Sequence, residues 1–135
     1  MRDQLFIDGK WIDTPKRTDV RDKYTDEVIA EVAVAGPEQV EAAVAAAERA
    51  APIMAALPAH RRAEVLHRTA ALIAERREDF ARTIAREAGK AIKFARAEVD
   101  RAVQTFTFGG EEAKRIHGET VPLDAVPSGE GYFGF

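Results

Sequence analysis

The hydrophobic period of this chain changes at Gly36-Pro37, and that change sets most of what it can fold into. Upstream, Val28, Ala30, Val32 and Val34 alternate with Ile29, Glu31 and Ala33, the two-residue repeat of a strand with one better-buried face. Downstream, Val40, Ala43, Val44 and Ala47 fall at i, i+3, i+4 and i+7, the repeat of a helix face. Pro37 suits the first helical position, where its missing N–H would have had no partner. A strand-bearing start followed by a run of helices is the expectation.

Before the switch, Leu5-Phe6-Ile7 and Trp11-Ile12 flank Asp8-Gly9, a pair that accepts the positive φ of a tight hairpin turn. After it, the first helix is alanine-rich and is expected to stop near Pro52. Pro58 opens a second, whose stripe of Val65, Leu66, Thr69, Leu72 and Ile73 is expected to be buried while Arg61, Arg68 and Glu75 stay wet. Phe80, Ile84 and Ala88 mark a third, closed by Gly89 as a left-handed cap. The fourth is the longest, roughly Ala91 to Ile116, carried by Val99, Val103, Phe106, Ala113 and Ile116 and ended by Gly118. Thr120-Val121-Pro122, Pro127-Ser128-Gly129 and Tyr132-Phe133 then read as an extended arm.

An apolar fraction of 46% over 135 residues is ample for a core and argues against disorder. Twenty Lys and Arg against 23 Asp and Glu, with the signs interspersed, argue against nucleic acid or an anionic membrane surface as partner. The start at Met1 has no apolar stretch of leader length and no run approaches the ~18 apolar residues of a membrane span, so a cytoplasmic location is expected. The chain contains no cysteine, which excludes disulfide staples and thiolate chemistry within it.

Gly129-x-Gly131-x-x-Gly134 spells the dinucleotide fingerprint. Its glycines work only between a strand and a helix whose N-terminus receives a pyrophosphate, and no helical pattern follows Gly134, so a turn within the arm is the reading here. His60 and His67 share a helix face two turns apart, about 10 Å along the axis, too far to hold a zinc without other ligands. Glu64 and Arg68, Asp79 and Arg82, and Glu111 and Arg115 have the spacings of solvated helix ion pairs, which accounts for these carboxylates better than acid–base catalysis.

Several segments, in order, resemble the N-terminal part of NAD(P)-dependent aldehyde dehydrogenases: Phe6-Ile7-Asp8-Gly9-Lys10-Trp11, Tyr24-Thr25-Asp26-Glu27-Val28-Ile29-Ala30, Glu87-Ala88-Gly89-Lys90, Glu98-Val99-Asp100-Arg101-Ala102 and His117-Gly118-Glu119-Thr120-Val121-Pro122. Asp26 stands where the family usually has a turn glycine. The resemblance implies an α/β fold class, namely the helix-rich opening of the aldehyde dehydrogenase fold, with a β-hairpin, a strand, four helices and an arm forming an incomplete Rossmann-like domain. Residues 1–117 would be the N-terminal part of the cofactor-binding domain and residues 118–135 the start of an oligomerisation arm.

In such enzymes a cysteine thiolate attacks the aldehyde, the thiohemiacetal passes a hydride to NAD or NADP, and water releases the carboxylic acid. The resemblance therefore implies a part of an oxidoreductase, completed by the remainder of an aldehyde dehydrogenase polypeptide and forming a homo-oligomer. The catalytic Cys, Glu and Asn are not carried over onto any residue of this chain, which by itself is expected to bind no cofactor and to be inactive. A free-standing helical interaction module derived from such an enzyme is the alternative, and the reading frame after Phe135 discriminates the two.

Two side chains are candidates for a site. Arg101 matches a position that faces the substrate entrance in relatives, where its planar fork would grip an anionic aldehyde; it also stands three residues after Glu98 and has the spacing to pair with it on a wet face. Glu87 matches a position where some relatives bind a structural monovalent cation, or else it is a surface carboxylate at a helix end.

Overall fold

The computed structural model describes residues 3–135; Met1 and Arg2, where the leader reading begins, lie outside them. Strands β1 (Leu5–Ile7) and β2 (Lys10–Ile12) form the expected antiparallel hairpin. Asp8 at φ 52° and Gly9 at φ 74° put both central turn residues in the left-handed region, the turn whose twist matches that of the strands. Phe6 pairs across the hairpin with Trp11, ring centroids 4.8 Å apart.

Strand β4 (Val28–Ala33) also forms as the alternation requires, but its partner was not foreseen. That partner is β3 (Arg17–Arg21), antiparallel and in register Arg17 to Ala33, with an irregularity at Val20/Arg21. β3 reads Arg-Thr-Asp-Val-Arg and so lacks an apolar face to announce it. The connection is fastened by Asp22, whose Oδ1 accepts from the backbone N–H of Tyr24 at 2.8 Å and of Thr25 at 3.0 Å. These two bonds hold the Asp22 carboxyl below the usual carboxylate range. Asp26 takes φ 60° in this loop, so an aspartate serves at the left-handed position that the family resemblance reserves for glycine.

Helix α1 (Pro37–Ala56) begins where the period changes, with the Gln39 Oε1 accepting from the Gly36 N–H at 2.9 Å. It does not stop at Pro52. The helix runs through that residue to Ala56; proline removes the bond to the carbonyl of residue 48, and Glu48 lies on an exposed part of the helix where water can take the bond's place.

Helices α2 (Ala59–Glu75), α3 (Arg77–Ala88) and α4 (Ile92–Glu112) form the packed part of the molecule, with α4 lying against both others. Its core is Ala81, Ala95 and Val99, flanked by Ile73, Ile84 and Ala85. Small side chains there let the helix backbones approach closely. On α2 the buried residues are Ala63 and Ala70, with Leu66, His67 and Ile73 half-buried beside them. The expected stripe was therefore rotated too far: Val65 is 54% and Leu72 40% exposed. Both arcs of α2 carry the helical repeat, and the contact with α4 selects the one with small residues. Gly89, at φ 65°, closes α3 as expected. α4 ends at Glu112 with a turn to Arg115, short of the expected Ile116, whose side chain is 77% exposed.

The arm folds back on itself. β5 (Val121–Pro122) pairs antiparallel with β6 (Phe133–Gly134), and two single 3-10 turns, Leu123–Ala125 and Pro127–Gly129, lie between them. Among the described residues all sheets are two-stranded and antiparallel, and no helix is long and apolar enough to cross a membrane.

Candidate functional site at the start of helix α4

The three-residue link between α3 and α4 places Lys90 beside the first turns of α4. Gly89 ends one helix in the left-handed conformation, Ala91 caps the next, and Lys90 between them is half-buried. On α4, Phe94, Ala97, Glu98 and Arg101 follow at i, i+3, i+4 and i+7, one face of a helix, and with Lys90 they line an open depression.

Within it the Lys90 ammonium donates to Glu98 Oε2 in a close ion pair. This hydrogen bond and the lysine's charge, with a smaller contribution from Arg101, hold the Glu98 carboxyl below the usual carboxylate range. The i,i+3 pair between Glu98 and Arg101 that the spacing allows is not formed. Arg101 is exposed, and its guanidinium makes no ion pair within 4.0 Å among the described residues.

A second network, invisible in the sequence, fixes α4 against α3. Arg77 grips Asp100 with two hydrogen bonds, Nε to Oδ1 at 2.6 Å and Nη2 to Oδ2 at 2.7 Å. Arg96 grips Glu78 likewise at 2.9 and 3.0 Å, and Arg77 Nη1 reaches Glu78 Oε1 at 3.0 Å. The bonded arginines hold both carboxyls below the usual range, Asp100 through Arg77 and Glu78 through Arg96 first. The network places the helix that presents Arg101.

Glu87 lies exposed in the last turn of α3, three residues before Lys90. Among the described residues no group of three His, Asp or Glu side chains is placed to hold a metal ion. His60 is exposed, whereas His67 is half-buried against Gly110 of α4. Gly134 lies within β6 rather than at a strand-to-helix turn, so the three arm glycines do not form a pyrophosphate cradle. The expected ion pairs also change partner: Arg61 pairs with Glu64 at 2.8 Å, Arg76 with Asp79 at 3.9 Å and Arg115 with Glu112 at 3.1 Å. Glu64 and Asp79 each take the arginine three residues before them instead of the one after, and Arg115 takes Glu112 instead of Glu111, since a long side chain on a wet face reaches neighbours on either side.

An opening of two antiparallel strand pairs, a bundle in which α4 packs on α2 and α3, and a folded-back arm together match the start of one enzyme fold. Residues 11–133 match the aldehyde dehydrogenase family, and the chain belongs to it, as the N-terminal portion of that fold. It is 40% identical over 131 residues to a 3-sulfolactaldehyde dehydrogenase of Priestia aryabhattai, covering 97% of this chain and 27% of that protein. It is 37% identical over 123 residues to a glutarate-semialdehyde dehydrogenase of Pseudomonas aeruginosa, covering 90% of this chain and 26% of that one. The crystal structure of aldehyde dehydrogenase 21 from Physcomitrella patens, in complex with the reaction product succinate, superposes with a TM-score of 0.90 at 41% identity, over 95% of this chain and 27% of that chain. The chain thus spans about a quarter of the length of the relatives it matches.

Proposed function

We propose that this chain serves as the N-terminal part of an NAD(P)-dependent enzyme that oxidises an anionic aldehyde to its carboxylic acid, with Arg101 binding the substrate's anionic group. The observation that carries this reading is the exposed guanidinium of Arg101, without an ion-pair partner among the described residues, beside a carboxylate that is already taken by Lys90. A planar guanidinium offers two parallel hydrogen bonds to a carboxylate or sulfonate. The relatives' names support the same chemistry, since sulfolactaldehyde carries a sulfonate, and glutarate semialdehyde and succinate carry carboxylates.

In this reading residues 1–117 are the N-terminal part of the cofactor-binding domain and residues 118–135 begin an arm toward a neighbouring subunit, for which the exposed Val126, Tyr132 and Phe133 supply apolar surface. The dinucleotide does not fit on this segment, where among the described residues no strand, glycine-rich turn and helix follow one another in the order that seats a pyrophosphate, so no step through it is assigned to these residues. Glu87 would lend one oxygen to a monovalent cation whose other ligands come from elsewhere in the enzyme. The chain has no cysteine, and the nucleophile is not among its residues.

The test is steady-state kinetics of the polypeptide expressed from the whole reading frame, wild type and Arg101→Leu, on succinate semialdehyde and on propanal. The variant is expected to lose about tenfold to a hundredfold of kcat/KM on the anionic aldehyde and little on propanal. Equal losses on both, or none, would sink the reading.

A further inference from the structure

The ion pair at the α3–α4 link has a role beyond joining two helices. We infer that Lys90 is a positioning residue for anion binding: by holding Glu98, it keeps that carboxylate from pairing with Arg101 and leaves the guanidinium open to substrate. The inference rests on the reading of Arg101 given above.

Glu98 and Arg101 stand three residues apart on α4 and line the same depression, the separation at which helix ion pairs ordinarily form. Here the carboxylate turns instead toward Lys90, eight residues earlier in the chain. The other carboxylate nearby on α4, Asp100, is held by Arg77, and Glu78 across on α3 is held by Arg96. Glu98, Asp100 and Glu78 are thus each engaged by a cation other than Arg101. Charge follows the same logic. Lys90, Glu98 and Arg101 together leave one net positive charge in the depression, whereas without the ammonium the carboxylate would cancel the arginine.

Gly89 makes the arrangement possible. Its left-handed conformation ends α3 and lets the chain turn within three residues into α4, so that Lys90 comes level with the second turn of the following helix.

The experiment compares KM and kcat of the polypeptide from the whole reading frame on succinate semialdehyde and propanal, for Lys90→Met, Lys90→Arg, Lys90→Met/Glu98→Gln and Arg101→Leu. Lys90→Met should raise KM for succinate semialdehyde about two- to fivefold, the scale on which a surface ion pair competes, with kcat and the propanal KM unchanged. Lys90→Arg should retain the wild-type KM, and the double variant should recover it because the competing carboxylate is gone. Equal changes on both substrates, or no recovery in the double variant, would mean that Lys90 is merely structural and would overturn the inference. Should Lys90→Met fail to fold, Glu98→Gln alone decides: an unchanged or lower KM for the anion supports the inference and a higher one overturns it. If Arg101→Leu keeps the wild-type preference, the reading of Arg101 falls and this inference with it; if Arg101→Leu loses the preference and Lys90→Met does not, only the role of Lys90 falls.

Discussion

His67 on α2 lies directly against Gly110 on α4, so close that a β-carbon at residue 110 would stand 2.7 Å from the imidazole Cε1. Gly110 is buried in the last turn of α4, where alanine would otherwise favour the helix by up to about 1 kcal/mol. Gly110→Ala should nevertheless lower stability, by about 1 kcal/mol net, since overpacking of about 1 to 3 kcal/mol outweighs the propensity gain. In a His67→Ala background the same substitution should become stabilising. Urea unfolding of the four proteins checks this, and an unchanged sign in the second background would rule out the steric explanation.

Two left-handed residues should respond in opposite ways. Gly89→Ala should destabilise by about 1 to 2 kcal/mol, the cost of placing a β-carbon at positive φ, with further crowding against the Lys23 Cβ 3.1 Å away. Asp26, at φ 60° on an exposed loop, should tolerate glycine, with stability raised by up to about 0.5 kcal/mol as the strain is released. Thermal melts showing both variants equally destabilised would contradict the assignment of strain.

Acid should loosen the link between α3 and α4. Asp100, Glu78 and Glu98 each have folded pKa values depressed by a bonded cation. Such groups add stability that is fully present above the unfolded carboxylate range, near pH 4, and is lost as pH falls through the lowered folded values. The urea midpoint should therefore hold from pH 7 to about pH 4.5 and decline below it, and the decline should be shallower in Arg77→Gln, where Asp100 has lost its partner. An identical acid limb in the variant would show that the network does not carry the effect.

The 135-residue chain purified alone should oxidise no aldehyde. Thioester chemistry needs a nucleophile and oxyanion donors in place, and this chain has no cysteine. Absorbance at 340 nm with NAD or NADP across a panel of aldehydes reads this directly. Turnover that survives repurification would place the chemistry on other groups.

Local backbone preference is what the sequence by itself determined. The period change at Gly36-Pro37, the Asp8-Gly9 turn and the Gly89 cap all form as their residue types demand, because φ, ψ and side-chain spacing act over a few residues. The candidate Arg101 was also legible there, through the order of the family's segments. Tertiary structure alone decided which side of α2 is buried, that β3 exists as the partner of β4, and that α1 continues past Pro52. It also decided the charges: Arg77 finds Asp100 23 residues away and Lys90 takes Glu98 eight residues on, which leaves Arg101 without an ion-pair partner among the described residues. Spacing along one helix shows which partners a side chain can reach. Which partner it keeps depends on what a neighbouring helix brings within hydrogen-bond distance, and that is fixed by the packing of α4 through small residues such as Ala95 and Gly110.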